Sequence, residues 1–194
     1  MKNLLAAIEM LSALPGEVLF DIYGPVDDQA YFLRCRQAAA KLPANVKVCF
    51  KGPLPHEEAQ AKFSEYHFFL FPTLGENFGH VIVEALAAGC PVITSTETPW
   101  SGLQQRGAGW DLPLSDRNAW REALQHCVAM KDDEYQSMSK AAAKFVRDWL
   151  DSSPIKEANV ALFNRSLSGS ARNDEPEQGT DKDLPDQSSK VLSC

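Results

Sequence analysis

The chain reads as an α/β domain, a parallel sheet flanked by helices. Short apolar strand signals alternate with amphipathic helical stretches of ten or more residues along most of the 194 residues. One strand signal, Phe68 to Phe71 (FFLF), is apolar without interruption, as suits a strand covered on both faces. Strands separated by helices of that length need right-handed crossovers, and those give parallel neighbours.

The elements follow in order. Residues 2–14 set Leu4, Leu5, Ile8, Leu11 and Leu14 on one helical stripe, stopped by Pro15-Gly16. Val18 to Tyr23 (VLFDIY) is a strand closed by Gly24-Pro25, and Gln29 to Lys41 a helix ended near Pro43. Val46 to Phe50 is the second strand, and His56 to Tyr66 a helix behind Pro55. After the FFLF strand, Gly79 to Ala88 forms a helix ended by Gly89, with Asn77 as its cap, and Val92 to Thr94 a buried strand. Thr98-Pro99 reads as a cap and first-turn pair opening a short helix. Trp110 to Leu114 is the last strand, followed by helices over about 116–130, 132–150 and 154–165.

Composition narrows the class. The chain is 44% hydrophobic and 23% charged, an ordinary globular balance. Its net charge is −7 and it has no basic stripe, which argues against a nucleic-acid partner. Five cysteines at 35, 49, 90, 127 and 194, none with CxxC spacing, fit reduced thiols rather than a disulfide framework or a zinc site. The N-terminal apolar run is broken by Glu9 and Ser12 and is too short to span a membrane. The reading is a cytoplasmic protein, with attachment to a membrane surface left open. From Ser166 onward the chain is polar, with a net charge of −3, and is expected to be a disordered acidic tail behind a domain over 1–165.

Ligands of parallel sheets sit beyond the carboxyl ends of the strands. The richest such loop lies in Phe71 to Thr96, FPTLGENFGHVIVEALAAGCPVITST. Gly75 and Gly79 let a ligand approach the backbone, and the amides at the following helix start suit a phosphate. Glu76 precedes that helix and Glu84 lies about five residues into it, roughly 8–10 Å along the axis. Two carboxylates so spaced could accept hydroxyls on either side of a diphosphate, as in a nucleotide sugar. A glutamate ahead of a helix is also common simply because it favours the dipole. Glu84 stands in an apolar helix, where an unpaired carboxylate is costly, although a salt bridge would satisfy it. His80 is a first-turn residue within reach of a phosphate. His56 and His67 have no partner in spacing, Cys90 reads as a small core residue, and the four tryptophans read as core or domain contacts.

GENFGHVIVEALAAGCPVI closely resembles the signature of family 4 retaining glycosyltransferases. Glu76, Phe78, Gly79, Glu84, Ala85, Gly89, Pro91, Val92 and Ile93 carry the match. Lys2-Asn3-Leu4-Leu5 and Asn45 to His56 (NVKVCFKGPLPH) resemble two further family segments, so the likeness spans about 1–150. The resemblance implies a Rossmann-like domain, the C-terminal donor-binding half of a GT-B fold. The activity it implies is a glycosyltransferase of hexosyltransferase type, moving a sugar from a nucleotide diphosphate sugar with retention. The acceptor would be a glycan, lipid or small molecule. By the same resemblance Glu76 would contact the transferred sugar and Lys2 would neutralise the diphosphate. Glu84 would hold the ribose, with Gly75, Asn77, Phe78 and Gly79 close to the donor and Gly52 and Leu54 near the base. Where the family often has Gly-Gly after Ser95, Thr96 could instead offer its hydroxyl to a phosphate. No cofactor and no metal are implied.

The family's Gly-Arg strand ahead of the Lys-Asn-Leu helix is absent, so a gap is expected in the centre of the sheet. The expectation is the donor half of a longer enzyme, inactive or weakly active alone. The alternative is a non-catalytic nucleotide-sugar-binding module, or a subunit needing a separate N-terminal acceptor domain.

Overall fold

A computed structural model describes the backbone of residues 2–152 and 190–193. Its six strands form one sheet in the order β2-β1-β6-β3-β4-β5, every pair parallel. The strands are β1 (Val18–Tyr23), β2 (Val46–Gly52), β3 (Phe68–Phe71), β4 (Val92–Ser95), β5 (Gly109–Leu112) and β6 (Lys190–Ser193). The helices are α1 (Leu4–Met10), α2 (Gln29–Ala39), α3 (His56–Phe63), α4 (His80–Ala87), α5 (Arg117–Ala129) and α6 (Asp132–Ser152).

Strand alternation sorts the core into two layers. Phe68 and Leu70 of β3 pack with Phe20, Ile8, Cys35, Trp120 and Leu124, on the face covered by α1, α2 and α5. Phe69 and Phe71 pack with Phe63, Ile82, Leu86, Ala142 and Val146, on the face covered by α3, α4 and α6. All four residues of β3 are buried, as the unbroken apolar run requires. Burying side chains of this size contributes about 1.5–3 kcal/mol each, so β3 anchors both layers.

Three expectations need correction. The gap in the centre of the sheet is closed. Lys190–Ser193 pairs with β1, from Val18↔Lys190 to Asp21↔Ser193, and with β3 through Phe68↔Leu192 and Phe69↔Ser193. Between β1 and β3 an open slot would leave interior amides and carbonyls unpaired, at roughly 1–3 kcal/mol each. The disordered-tail reading therefore fails at these four residues, whose Val-Leu pair is hidden in a polar average. The rest of that tail to residue 189, the helix expected at 154–165 and the boundary at 165 lie outside the described residues. Second, Thr98-Pro99 opens no helix. The Asp111 carboxylate accepts the amides of Gly102 (3.1 Å) and Leu103 (2.9 Å), and holds the segment as a turn. Third, Gly79, at φ 77°, caps α4 in place of Asn77.

Candidate active site

The carboxyl ends of β1, β2 and β3 open into a cleft of about 360 Å³ between the loops and helices α3 and α4. Its inner wall is apolar, built from Phe63, Phe69, Phe71, Ala59 and Val81, with the phenols of Tyr23 and Tyr66 among them. Charge collects elsewhere on its lining, at Lys2, His56, Lys62, His80 and Glu84. A second hollow of about 340 Å³, lined among others by Glu9, Leu74, Arg117 and Arg121, holds none of the candidate site residues.

Lys2 reaches the cleft because Asn3 turns the chain just ahead of α1. Asn3 takes φ 56°, a left-handed conformation that asparagine tolerates better than most side chains. Glu84 projects from the middle of α4 with 18% of its side chain exposed, and its Oε1 lies 3.5 Å from His56 Nδ1. Burial pushes the Glu84 carboxyl above the usual carboxylate range. The imidazoles of His56 and His80 pull it partly back. The salt-bridge and ligand readings of Glu84 thus meet in one place, since the imidazole beside it belongs to a lining residue. Leu54 belongs to the same lining. Gly52 does not; it ends β2 at φ 79°, and its carbonyl accepts the Gly24 amide at 2.9 Å, tying together the loops after β1 and β2.

The loop from Thr73 to Phe78 is clamped against the segment after β4. Ser95 Oγ donates to the Thr73 carbonyl at 2.6 Å, and the Glu76 amide donates to the Glu97 carbonyl at 3.0 Å. The Trp100 indole N–H donates to the Phe78 carbonyl. The Phe78 ring meets Trp100 and Trp149 edge-on, with centroids 5.9 and 5.8 Å apart. These ties hold Glu76 half-buried and leave Gly75 and Asn77 exposed at the head of α4. Among the described residues no side chain caps that helix start. Gly75, Glu76, Asn77, Phe78 and Gly79 thus form the loop leading into α4 and do not line the cleft. Thr96 is exposed, donates its amide to the Leu112 carbonyl at 3.1 Å, and lies outside the cleft lining.

The lining residues that went unselected in the sequence include His56, set aside for want of a spaced partner, Tyr23 and Tyr66. The available signal was position. Tyr23 ends a strand, and His56 opens the helix that follows a strand-end loop, where parallel sheets bind ligands.

A central parallel sheet covered by helices on both faces, with a polar and apolar cleft at its carboxyl edge, is the architecture of a Rossmann-like α/β domain. The chain belongs to the glycosyl transferases group 1 family, whose model matches residues 1–145. It is 26% identical over 102 residues to the O-antigen chain mannosyltransferase RfbU of Salmonella typhimurium, covering 53% of this chain and 29% of that protein. It is 24% identical over 161 residues to the GtfA subunit of the UDP-N-acetylglucosamine–peptide N-acetylglucosaminyltransferase of Streptococcus agalactiae, covering 82% of this chain and 25% of that one. The chain thus spans less than a third of the length of these curated relatives. In fold it is similar to Anabaena HepE, solved in complex with UDP-glucose, with a TM-score of 0.63 at 19% identity, over 87% of this chain and 45% of that one. Among the described residues no helix is long and apolar enough to cross a membrane.

Proposed function

We propose that this chain holds the donor in a glycosyltransferase that moves a sugar from a nucleotide diphosphate to an acceptor with retention of configuration. The observation that carries the reading is the shared cleft of Lys2 and Glu84, far apart in sequence, beside an apolar slot at the strand ends. The slot suits a planar base. Glu84 suits the ribose hydroxyls, because a carboxylate accepts only and hydroxyls donate. Lys2 suits the diphosphate, and neutralising charge there as the sugar bond breaks stabilises the leaving group. The start of α4, which no described side chain caps, offers amides and a favourable dipole to the same group. Glu76, on the clamped loop, is assigned to the hydroxyls of the transferred sugar. HepE, the structural neighbour, was solved with UDP-glucose, which supports a donor of this class. The acceptor, a glycan, lipid or small molecule, would be supplied from a separate N-terminal domain, and the setting is the cytoplasm or a membrane surface.

Calorimetric titration with nucleoside diphosphates and their hexose conjugates tests the assignment. Glu84→Ala is expected to weaken nucleotide binding about 10- to 100-fold, the cost of losing a charged hydrogen-bond acceptor. Glu76→Ala is expected to narrow the difference between a nucleotide sugar and its bare nucleotide. Affinities unchanged in both variants would defeat the roles given to these carboxylates. Tight donor binding without turnover would fit a binding module, or a subunit completed by a separate acceptor domain.

A further inference from the structure

Behind the inner wall of the cleft, side chains from β1 and the turn after α3 form a hydrogen-bonded relay that the reading above does not use. Asp21, in β1, is 5% exposed and lies between Leu19 and Tyr23 on one face of the sheet. Its Oδ2 accepts the Tyr66 phenol proton at 2.8 Å and lies 3.3 Å from Lys51 Nζ. The Tyr66 oxygen in turn lies 2.8 Å from the Tyr23 oxygen. The two rings meet edge to face, with centroids 6.2 Å apart. Both tyrosines line the cleft.

The direction of this chain of bonds is set by proton count. A phenol carries one proton and a carboxylate carries none to give. Tyr66 spends its proton on Asp21, so the contact between the two phenols uses the proton of Tyr23. The Tyr23 oxygen is left with lone pairs alone. Asp21 Oδ1 is buried and has no hydrogen-bond partner among the described residues. A buried carboxylate left half-satisfied is costly, and fixing the polarity of a ligand-facing phenol is a function that accounts for retaining it. Burial also pushes the Tyr66 phenol well above its ordinary range, so it stays a donor to Asp21 at any physiological pH.

We infer that Tyr23 is a specificity-determining residue of the donor cleft: its phenol oxygen, held as an acceptor by Tyr66 and Asp21, receives an N–H of the nucleotide's base. Phosphate oxygens carry no proton to give at neutral pH and are poorly matched to this atom. Phe63, Phe69 and Phe71 around it favour a flat heterocycle over a sugar. Asp21 and Tyr66 are positioning residues that act through Tyr23. The inference rests on the donor-site reading.

The test is calorimetric titration of the full chain with UDP, GDP, ADP and inorganic pyrophosphate, which carries no base. Tyr23→Phe is expected to weaken the tightest nucleoside diphosphate about tenfold and to leave pyrophosphate unchanged, since an unmatched buried N–H is the only loss. Tyr66→Phe frees the Tyr23 proton, so it is expected to weaken the same nucleotide by a smaller factor. The double variant should bind no worse than Tyr23→Phe alone. Equal nucleotide affinity in wild type and Tyr23→Phe would overturn the inference and leave the donor site standing. An equal loss on pyrophosphate would overturn it as a structural effect. Failure of the wild type to bind any nucleoside diphosphate would overturn the donor-site reading itself.

Discussion

Glu84 sets a ligand role against stability. Its folded pKa is raised, first by burial. The folded state therefore holds the Glu84 proton more tightly than the unfolded chain does. As pH rises from the ordinary carboxylate pKa through the raised folded one, this group's contribution to stability falls, and above that window the burial penalty is fully present. Glu84→Gln should accordingly raise the melting temperature of the unliganded chain at neutral pH, with the gain shrinking as pH falls through the ordinary carboxylate range. Thermal melts at neutral pH and at pH 4 check this. A neutral-pH melting temperature lowered by Glu84→Gln would mean that the His56 contact outweighs desolvation. The two candidate carboxylates, Glu76 and Glu84, could be picked out in the sequence because the GENFGHVIVE segment is contiguous. His56 and Tyr66 were not, because their partners Glu84 and Asp21 are far away in sequence and are brought close only by the crossovers.

Two elements depend on backbone that side chains other than glycine fit poorly. Gly79 caps α4 at φ 77°, and a Cβ there would meet Ile82 Cδ1 at 3.0 Å and Glu76 Cγ at 3.2 Å. Gly79→Ala should lower stability by about 1–2 kcal/mol, the cost of the left-handed conformation, and disturb Glu76 as well. Gly109 is more severe. A Cβ would stand 1.9 Å from the Val92 carbonyl oxygen, so Gly109→Ala forces β4 and β5 apart and should cost upward of about 4 kcal/mol. Urea midpoints of the two variants should rank Gly79→Ala well above Gly109→Ala; the reverse order would contradict this account of the β4–β5 contact. Strands such as β3 were readable because a continuous apolar run has few other uses. The helix expected at Thr98-Pro99 failed although Thr98 Oγ1 does accept the Trp100 amide, because Asp111 captures the Gly102 and Leu103 amides, the first that would have bonded back along it. Asn77 failed as a cap for a related reason, since a glycine two residues later takes the left-handed turn.

At the scale of the molecule, the two halves of the sheet meet through β6. β1 and β2 lie on one side of it and β3, β4 and β5 on the other. The cleft is lined from both halves, by Tyr23 and Leu54 from one and Phe71 and Glu84 from the other. A chain ending at residue 189 should therefore lose amide-exchange protection in β1 and β3 together, and bind nucleotide more weakly through loss of alignment rather than of any contact. Retained protection in both strands would show that the slot closes without β6. The central strand escaped the sequence reading because four residues carry little periodicity of their own. What identifies β6 is the unpaired backbone on either side of its slot.

If the cleft at the strand ends is a nucleotide site, a thermal melt of the purified chain with UDP, GDP and ADP will show it. A ligand at 100 times its dissociation constant adds about 2.7 kcal/mol if it binds only the folded state. For a chain of this size that is a rise of roughly 5–10 °C. The expected result is a single cooperative transition raised by one nucleotide above the others, with the rise diminished in Glu84→Ala. A transition unmoved by millimolar concentrations of all three would contradict it.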